Sequence, residues 1–321
     1  MVVGALATPQ LQTLRNLVPP LVATRYKGQA GKVGVLGGCS DYTGAPFYAA
    51  ISALKLGADL SHVFCEERAA APIKSYSPEL IVHGVLREGE APAQARERQA
   101  DQVSKWFPAL TALVVGPGLG RDETMQAVAA LVVERAVAAS LPLVIDADGL
   151  ACVLRDPSLV RGSAWTVLTP NRPEFGRLQA ALAPAAGAEV AADDDAAELR
   201  RISLALGGAV IVRKGPHDLL SDGTSVLCNE EPGSVKRSGG QGDVLAGSIA
   251  TFLGWARAAQ LGGLTPPEPS PPLLAAYAGC LLTRRFSAAA FAKNRRAMTA
   301  PDLVAEIGPC FEEFSPAELA D

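Results

Sequence analysis

Ser238-Gly239-Gly240-Gln241-Gly242-Asp243 leads without a break into an apolar stretch that carries Val244, Leu245, Ile249, Phe252 and Leu253. The apolar spacing predicts a helix near Asp243–Ala259, so the glycines form a loop feeding directly into its first turn. Glycine lets backbone N–H groups come close to an anion, and the helix start adds the positive end of its dipole. Asp243 stands at that start, facing whatever the loop holds. Amides that stabilise a moving phosphoryl group, beside a carboxylate that takes the acceptor's proton, are the parts phosphoryl transfer requires. A glycine-rich turn with Asp243 as a helix cap is the alternative that spacing alone leaves open.

From Lys32 onward, short β-branched runs alternate with helical stretches. Strands are predicted over Lys32–Leu36, Leu60–Phe64, Leu80–Val85, Ala112–Val115, Leu143–Asp146, Thr166–Thr169 and Val210–Arg213, with helices near Ala45–Leu56, Gln94–Trp106, Asp122–Ala139 and Arg172–Ala181. Continuous apolar strands separated by helices imply an α/β domain with a parallel sheet covered on both faces. After Val210–Arg213 the rhythm changes. Leu219–Leu220, the turn at Asp222–Gly223 and Ser225–Leu227 predict a hairpin. A second long helix is expected near Pro272–Ala290, reached through the Pro-rich joint Thr265–Pro272. The Ala-rich stretch Pro184–Glu198, with its acidic run Asp193–Asp195, reads as a solvated loop leading into a helix.

With 29 Lys and Arg against 33 Asp and Glu, the 321-residue chain has a net charge of −4 and a pI near 5.6. It therefore offers no general attraction for nucleic acid or an anionic membrane, and any anionic ligand needs a local site. No apolar run approaches the roughly 18 residues of a membrane span. Cys39, Cys65, Cys152, Cys228, Cys280 and Cys310 form no CxxC, and His62, His83 and His217 are scattered. Neither a zinc site nor a disulfide framework is expected; free thiols in a reducing, cytoplasmic compartment fit better. No acidic residue precedes Asp41, while Arg15, Arg25, Lys27 and Lys32 do, which resembles a mitochondrial transit segment.

In open parallel sheets ligands bind beyond the carboxyl ends of the strands, and further loops of interest lie there. Gly116-Pro117-Gly118-Leu119-Gly120 brings backbone close to a ligand, or makes a tight turn; it lacks the dinucleotide-binding spacing, and no Walker A string occurs anywhere. In Thr169-Pro170-Asn171-Arg172-Pro173-Glu174 the prolines place Asn171 and Glu174 at one helix mouth. Glu174 suits the organisation of Mg²⁺ and its waters around phosphates, or a capping box. Arg213-Lys214-Gly215-Pro216-His217-Asp218 offers Lys214 to a phosphate. Gly37-Gly38-Cys39-Ser40-Asp41-Tyr42-Thr43-Gly44 offers hydroxyls, a phenol and exposed amides. Five such loops opening on one edge, without a Walker A, point to a kinase-like fold.

The stretches KGQAGKVGVLGGCSDYTGAPFYAAISALKLGADLSHVFC (27–65), YSPELIVH (76–83), VVGPGLGRD (114–122), VIDADGL (144–150), LTPNRPEF (168–175), RKGPHD (213–218) and GGQGDVLAG (239–247) carry a family resemblance. Together they resemble the ATP-dependent (S)-NAD(P)H-hydrate dehydratases, carbohydrate-kinase-domain proteins of the ribokinase-like superfamily, from about Lys27 to about Phe314. The resemblance implies a three-layer α/β/α sandwich with a mostly parallel central sheet, formed by residues 27–321 as one domain after an N-terminal extension, 1–26. It implies nicotinamide nucleotide repair: (6S)-hydrated NADH or NADPH is phosphorylated by ATP at the C6 hydroxyl, and elimination releases phosphate. Position by position, Gly118 and Asn171, Arg172, Pro173, Glu174, Phe175, Gly176 and Arg177 then touch the hydrated dinucleotide, and Asn171 and Glu174 also hold Mg²⁺ through water. ATP falls to Lys214, Gly215, Pro216, His217 and Asp218 and to Gly233, Ser234, Val235, Lys236, Arg237, Ser238, Gly239, Gly240, Gln241 and Gly242. The amides of Gly240, Gln241 and Gly242 make the anion hole, and Asp243 contacts substrate as general base. Gln241 departs from the Thr or Ser of many bacterial relatives and fits the eukaryotic, ATP-using branch. With so few residues before the match, the epimerase acting on the R hydrate is expected to be a separate protein. Relatives often assemble, so a homo-oligomer is compatible. A vitamin or sugar kinase of the same superfamily is the alternative reading.

Overall fold

The computed structural model describes residues 2–3, 8–183, 194–263 and 269–317. In chain order its elements are β1 (Val2–Val3), α1 (Thr8–Asn16), β2 (Lys32–Leu36), α2 (Gly44–Leu56), β3 (Leu60–Glu66), α3 (Glu67–Tyr76), β4 (Ile81–Leu86), α4 (Ala93–Ser104), β5 (Ala112–Val115), α5 (Glu123–Ala138), β6 (Leu143–Ile145), α6 (Leu150–Arg155), β7 (Thr166–Leu168), α7 (Arg172–Leu182), α8 (Asp195–Ala205), β8 (Val210–Arg213), β9 (Asp218–Ser221), β10 (Val226–Asn229), α9 (Gln241–Leu261), α10 (Pro271–Asn294) and α11 (Ala300–Phe314). The Ala-rich stretch from Pro184 to Asp193 and half of the Pro-rich joint, residues 265–268, lie outside the described residues. Asp194, inside the acidic run, caps α8 by accepting from the Ala197 amide.

The strands form one sheet in the order β1-β10-β9-β8-β7-β6-β5-β2-β3-β4. Only β9 runs against its neighbours, as one arm of the expected hairpin. Alternation along each strand sends side chains to opposite faces. Val33 and Val35 of β2 and Ala112 and Val114 of β5 face a core closed by α2, α9, α10 and α11. Leu36, Leu113 and Val115 face a second core with α4, α5, α6, α7 and α8. The sheet is thus covered on both sides, as the continuous apolar strands require, and the result is the expected three-layer α/β/α sandwich with a mostly parallel centre.

Chain order reverses between β2 and β5: β3 and β4 extend one way, β6, β7 and β8 the other. Loops leaving such a switch point diverge and leave a crevice. Here they also touch. The Gly38 amide donates to the carbonyls of Pro117 (3.0 Å) and Gly118 (3.1 Å).

The described residues of the segment 1–26 are not set apart from this body. β1 pairs with β10, Leu14 and Leu17 are buried in the first core, and the Arg15 Nε donates to the Phe314 carbonyl at 2.7 Å.

Candidate active site

The site begins with the backbone of Gly240, which sits at φ +92° immediately before α9. A Cβ there would lie 2.5 Å from the Ala300 Cβ and 3.1 Å from the Tyr48 ring, so both conformation and space demand glycine. No side chain caps α9, which leaves its first amides, including those of Gln241 and Gly242, facing outward with the dipole behind them. The Gln241 side chain is already engaged: its Nε2 donates to the Lys236 carbonyl and to Ser238 Oγ, both at 3.0 Å. It pins the loop before the helix, so only its backbone is available to an anion.

Asp243 lies in the first turn of α9. Among the described residues nothing hydrogen-bonds its carboxylate. Burial, then the neighbouring Asp146, pushes its pKa up to about 7; Lys214 pulls it down and Asp148 pushes it further up. A carboxylate that titrates near neutrality and is open to the cavity is suited to proton transfer.

Asp146 is the residue that sequence reading passed over, although it stands in the quoted VIDADGL. It follows β6 directly and is only 2% exposed. Its Oδ1 accepts from Thr169 Oγ1 at 2.6 Å and from Lys214 Nζ at 2.8 Å. Lys214 itself is anchored by its amide to the Pro170 carbonyl, which joins the loops after β7 and β8. Burial opposes the charge on Lys214, but the Asp146 carboxylate outweighs it and raises the lysine pKa above its ordinary value. A Cβ placed on Gly242 would lie 3.7 Å from both Asp146 Oδ2 and Lys214 Nζ. The ion pair therefore sits directly against the glycine amides.

A cavity of about 620 Å³ opens from this point between the start of α9, the two loops and α10. It gathers Asn171 and Glu174, Lys214 to Pro216 and Asp218, Gly233, Ser234, Arg237 and every residue from Ser238 to Asp243. His217, Val235 and Lys236, expected with them, do not line it; His217 and Val235 are exposed. Asp218 needs a correction. Its carboxylate is buried in a two-pronged pair with Arg284 (2.6 Å from Nε, 2.8 Å from Nη2) and accepts from the Gly215 amide as well. It shapes the 214–218 loop and has no charge to spare for a ligand. Arg284, on α10, also donates to the carbonyls of Gly215 and Pro216, a clamp that no local motif announces.

Asn171 and Glu174 form a capping box on α7: the Glu174 amide donates to Asn171 Oδ1 at 3.0 Å, and the Asn171 amide to Glu174 Oε2 at 2.8 Å. Phe175 is a second correction. Its ring is buried in the second core with Arg213 stacked 5.7 Å from its centroid, so the ring faces away from the cavity and only its backbone is left for the expected contact. Arg172, Pro173, Gly176 and Arg177 are exposed along α7, outside the cavity. Gly118 lies at the switch point instead, at φ +60°, where a Cβ would meet Tyr42 at 2.9 Å. Tyr48 of α2 lies closer in. Burial raises its phenol pKa, and Tyr76 and Asp243 add to the effect.

Solved structures share this architecture. A ribokinase-like superfamily protein from Enterococcus faecalis aligns with a TM-score of 0.75 over 97% of this chain and 96% of its own, at 20% identity. An ADP/ATP-dependent NAD(P)H-hydrate dehydratase from Bacillus subtilis, co-crystallised with ATP and Mg²⁺, aligns with a TM-score of 0.66 over 95% of this chain and 97% of its own, at 19% identity. The fold, with a glycine loop and an aspartate at the head of α9, is ribokinase-like. Within that class, the family model described as NAD(P)H-hydrate dehydratase matches residues 33–309. Proteins named ATP-dependent (S)-NAD(P)H-hydrate dehydratase from Bos taurus and Homo sapiens are each 48% identical over 304 residues, covering 95% of this chain and 88% and 84% of theirs. The chain belongs to the NAD(P)H-hydrate dehydratase family.

Proposed function

We propose that the protein repairs damaged nicotinamide nucleotides by ATP-dependent dehydration of (6S)-hydrated NADH and NADPH, with release of ADP and phosphate. The observation that carries the chemistry is Asp243: a carboxylate with a pKa near 7, unpaired, beside uncapped helix amides. The names of its relatives at 48% identity supply the substrates and favour dehydration over a kinase whose phosphorylated product persists.

In this reading Asp243 takes the proton of the C6 hydroxyl as its oxygen bonds to the γ-phosphorus of ATP and the bond to ADP breaks. The Gln241 and Gly242 amides and the Lys214 ammonium hold the charge that gathers on the transferred group. Hydroxide is a poor leaving group and phosphate a good one. The ring nitrogen lone pair then expels phosphate from C6, and loss of the C5 proton restores the dihydronicotinamide.

Among the described residues no group of three or more His, Cys, Asp and Glu could hold a metal by itself. Mg²⁺ asks for less: it keeps several waters and uses one or two carboxylates beside phosphates. The capping box occupies Glu174 Oε2 and leaves Oε1 for such a water, so Glu174 and Asn171 fit an indirect role. Bound there, Mg²⁺ supplies charge neutralisation for the phosphates. In this reading the R hydrate is no substrate until it is epimerised to the S form.

The test is turnover of a mixed R/S preparation of hydrated NADH by purified protein with Mg²⁺ and ATP, following dihydronicotinamide absorbance and free phosphate together. Equal, ATP-dependent gains in both, stopping when the S form is spent, are expected. ATP consumption without recovered absorbance would replace this reading with a kinase.

A further inference from the structure

Lys214 is the cation that bears on both the buried Asp146 and the half-buried Asp243. Asp146 holds it at 2.8 Å, and Asp243 feels it without a hydrogen bond. Asp146 is nearly inaccessible and oriented by a second bond, from Thr169 Oγ1, so its Oδ1 is fixed toward the lysine. An ammonium this poorly solvated, its side chain only 23% exposed, favours an anionic partner. If Asp146 did not take it, Glu174 and then Asp243 are the carboxylates that act on it next, and Glu174 is already tied into its capping box. A base already bound to an ammonium is a poor acceptor for a hydroxyl proton. We propose that Asp146 is a positioning residue for the base: by taking the Lys214 ammonium and holding it against Gly242, it keeps Asp243 unpaired and open to the acceptor.

The other groups around the base are in the wrong place to take over this work. Asp148, after β6, donates no positive charge and accepts from the Gly120 amide. Tyr48, on α2, is a raised phenol. Glu174, on α7, acts on Lys214 with the same sign as Asp146 but is bound in its capping box. Arg284, on α10, is committed to Asp218, and Arg237 donates to the Ser234 carbonyl. Lys214 and Asp146 thus form a pair whose partner choice sets the state of Asp243.

The inference rests on Asp243 being the base of the proposed reaction, so its test has one readout that needs no turnover. In substrate-free protein labelled with carboxyl-¹³C aspartate, the Asp243 resonance is identified by its loss in Asp243→Asn and titrated. In Asp146→Asn, loss of the Asp146 charge lowers the titration of Asp243 and the move of Lys214 to Asp243 lowers it further, so the resonance is expected to titrate about one pH unit or more below wild type. The acid limb of kcat/KM for the hydrate moves with it, and kcat/KM at neutral pH drops at least tenfold. The double variant Asp146→Asn/Lys214→Met removes the misplaced cation and moves the titration back toward the wild-type value. A purely structural role for Asp146 gives no such recovery. An unchanged titration in Asp146→Asn, or a double variant that titrates like the single, overturns the proposal. Should Asp146→Asn not fold, Thr169→Val decides: a smaller shift of the same sign supports the proposal and no shift overturns it. If the wild-type protein shows no hydrate turnover, the proposed function falls, while the titration still decides what the pair does.

Discussion

Asp243 illustrates the cost of a useful residue. Its folded pKa is about 7, against 3.8 for the ordinary carboxylate, so the folded protein binds this proton more tightly than the unfolded chain does. The group therefore favours the fold below about pH 4, and that contribution is lost as pH rises through 7. Asp243→Asn carries no charge and escapes the loss. The variant is expected to be more stable than wild type at pH 8 by about 1–4 kcal/mol, a difference that shrinks as pH falls from 7 to 4, while turnover is abolished. Urea unfolding at pH 8 and pH 4.5 checks this; equal stabilities at pH 8 would mean that the carboxylate is better solvated than its surroundings imply. The glycine loop and Asp243 were legible because their chemistry is local and the residues are consecutive. Asp146 was not: its meaning lies in a partner 68 residues away, and Arg284 is likewise 66 residues from Asp218. Phe175 was misread because motif position says nothing about which way a helical side chain turns.

At the level of elements, α2 and α9 are the pair that matters, since α2 carries Tyr48 and follows the 38–43 loop while α9 carries Asp243 and the Gln241 and Gly242 amides. They are locked by Gly247, where a Cβ would lie 2.1 Å from the Ala49 carbonyl oxygen. That neighbour is backbone and cannot step aside. Gly247→Ala is expected to destabilise the protein by about 3 kcal/mol or more and to lower kcat by separating the two helices; chemical denaturation and turnover measure both. A variant of wild-type stability would show the helices to be more loosely paired. From β2 onward the strands were read almost to the residue because their apolar runs are continuous and bounded by turns, whereas the two-residue β1 was not foreseen. Helices α3 and α11 were not foreseen, and both contain an internal proline, Pro72 and Pro309. Proline reads as a breaker in isolation. In the fold α11 buries Leu303, Ile307 and Phe314 against the first core, and α3 buries Ala69 and Ile73 there, so packing outweighs the lost hydrogen bond. α9 begins at Gln241, two residues before the expected start, because Gln241 and Gly242 already belong to its first turn.

For the whole molecule, the sequence suggested a domain starting near Lys27 because the family motifs start there. Nothing in motif matching reports burial, and Leu14 is fully buried with Leu17 beside it. Removing residues 1–26 would uncover that part of the core. Burying a leucine contributes about 1.5–3 kcal/mol, so the shortened protein is expected to lose roughly 3–5 kcal/mol and to melt at a lower temperature in a thermal scan. An unchanged melting temperature would show the segment to be dispensable. The half-protonated state of Asp243 near neutrality has a consequence for the molecule as a partner in solution. A polyanionic nucleotide entering the cavity raises the proton affinity of that carboxylate further. Binding must then draw a fraction of a proton from the medium, and the buffer surrenders it. The heat released on nucleotide binding is therefore tied to the ionisation enthalpy of whatever buffer surrounds the protein, and the tie is cut when Asp243 is replaced by asparagine.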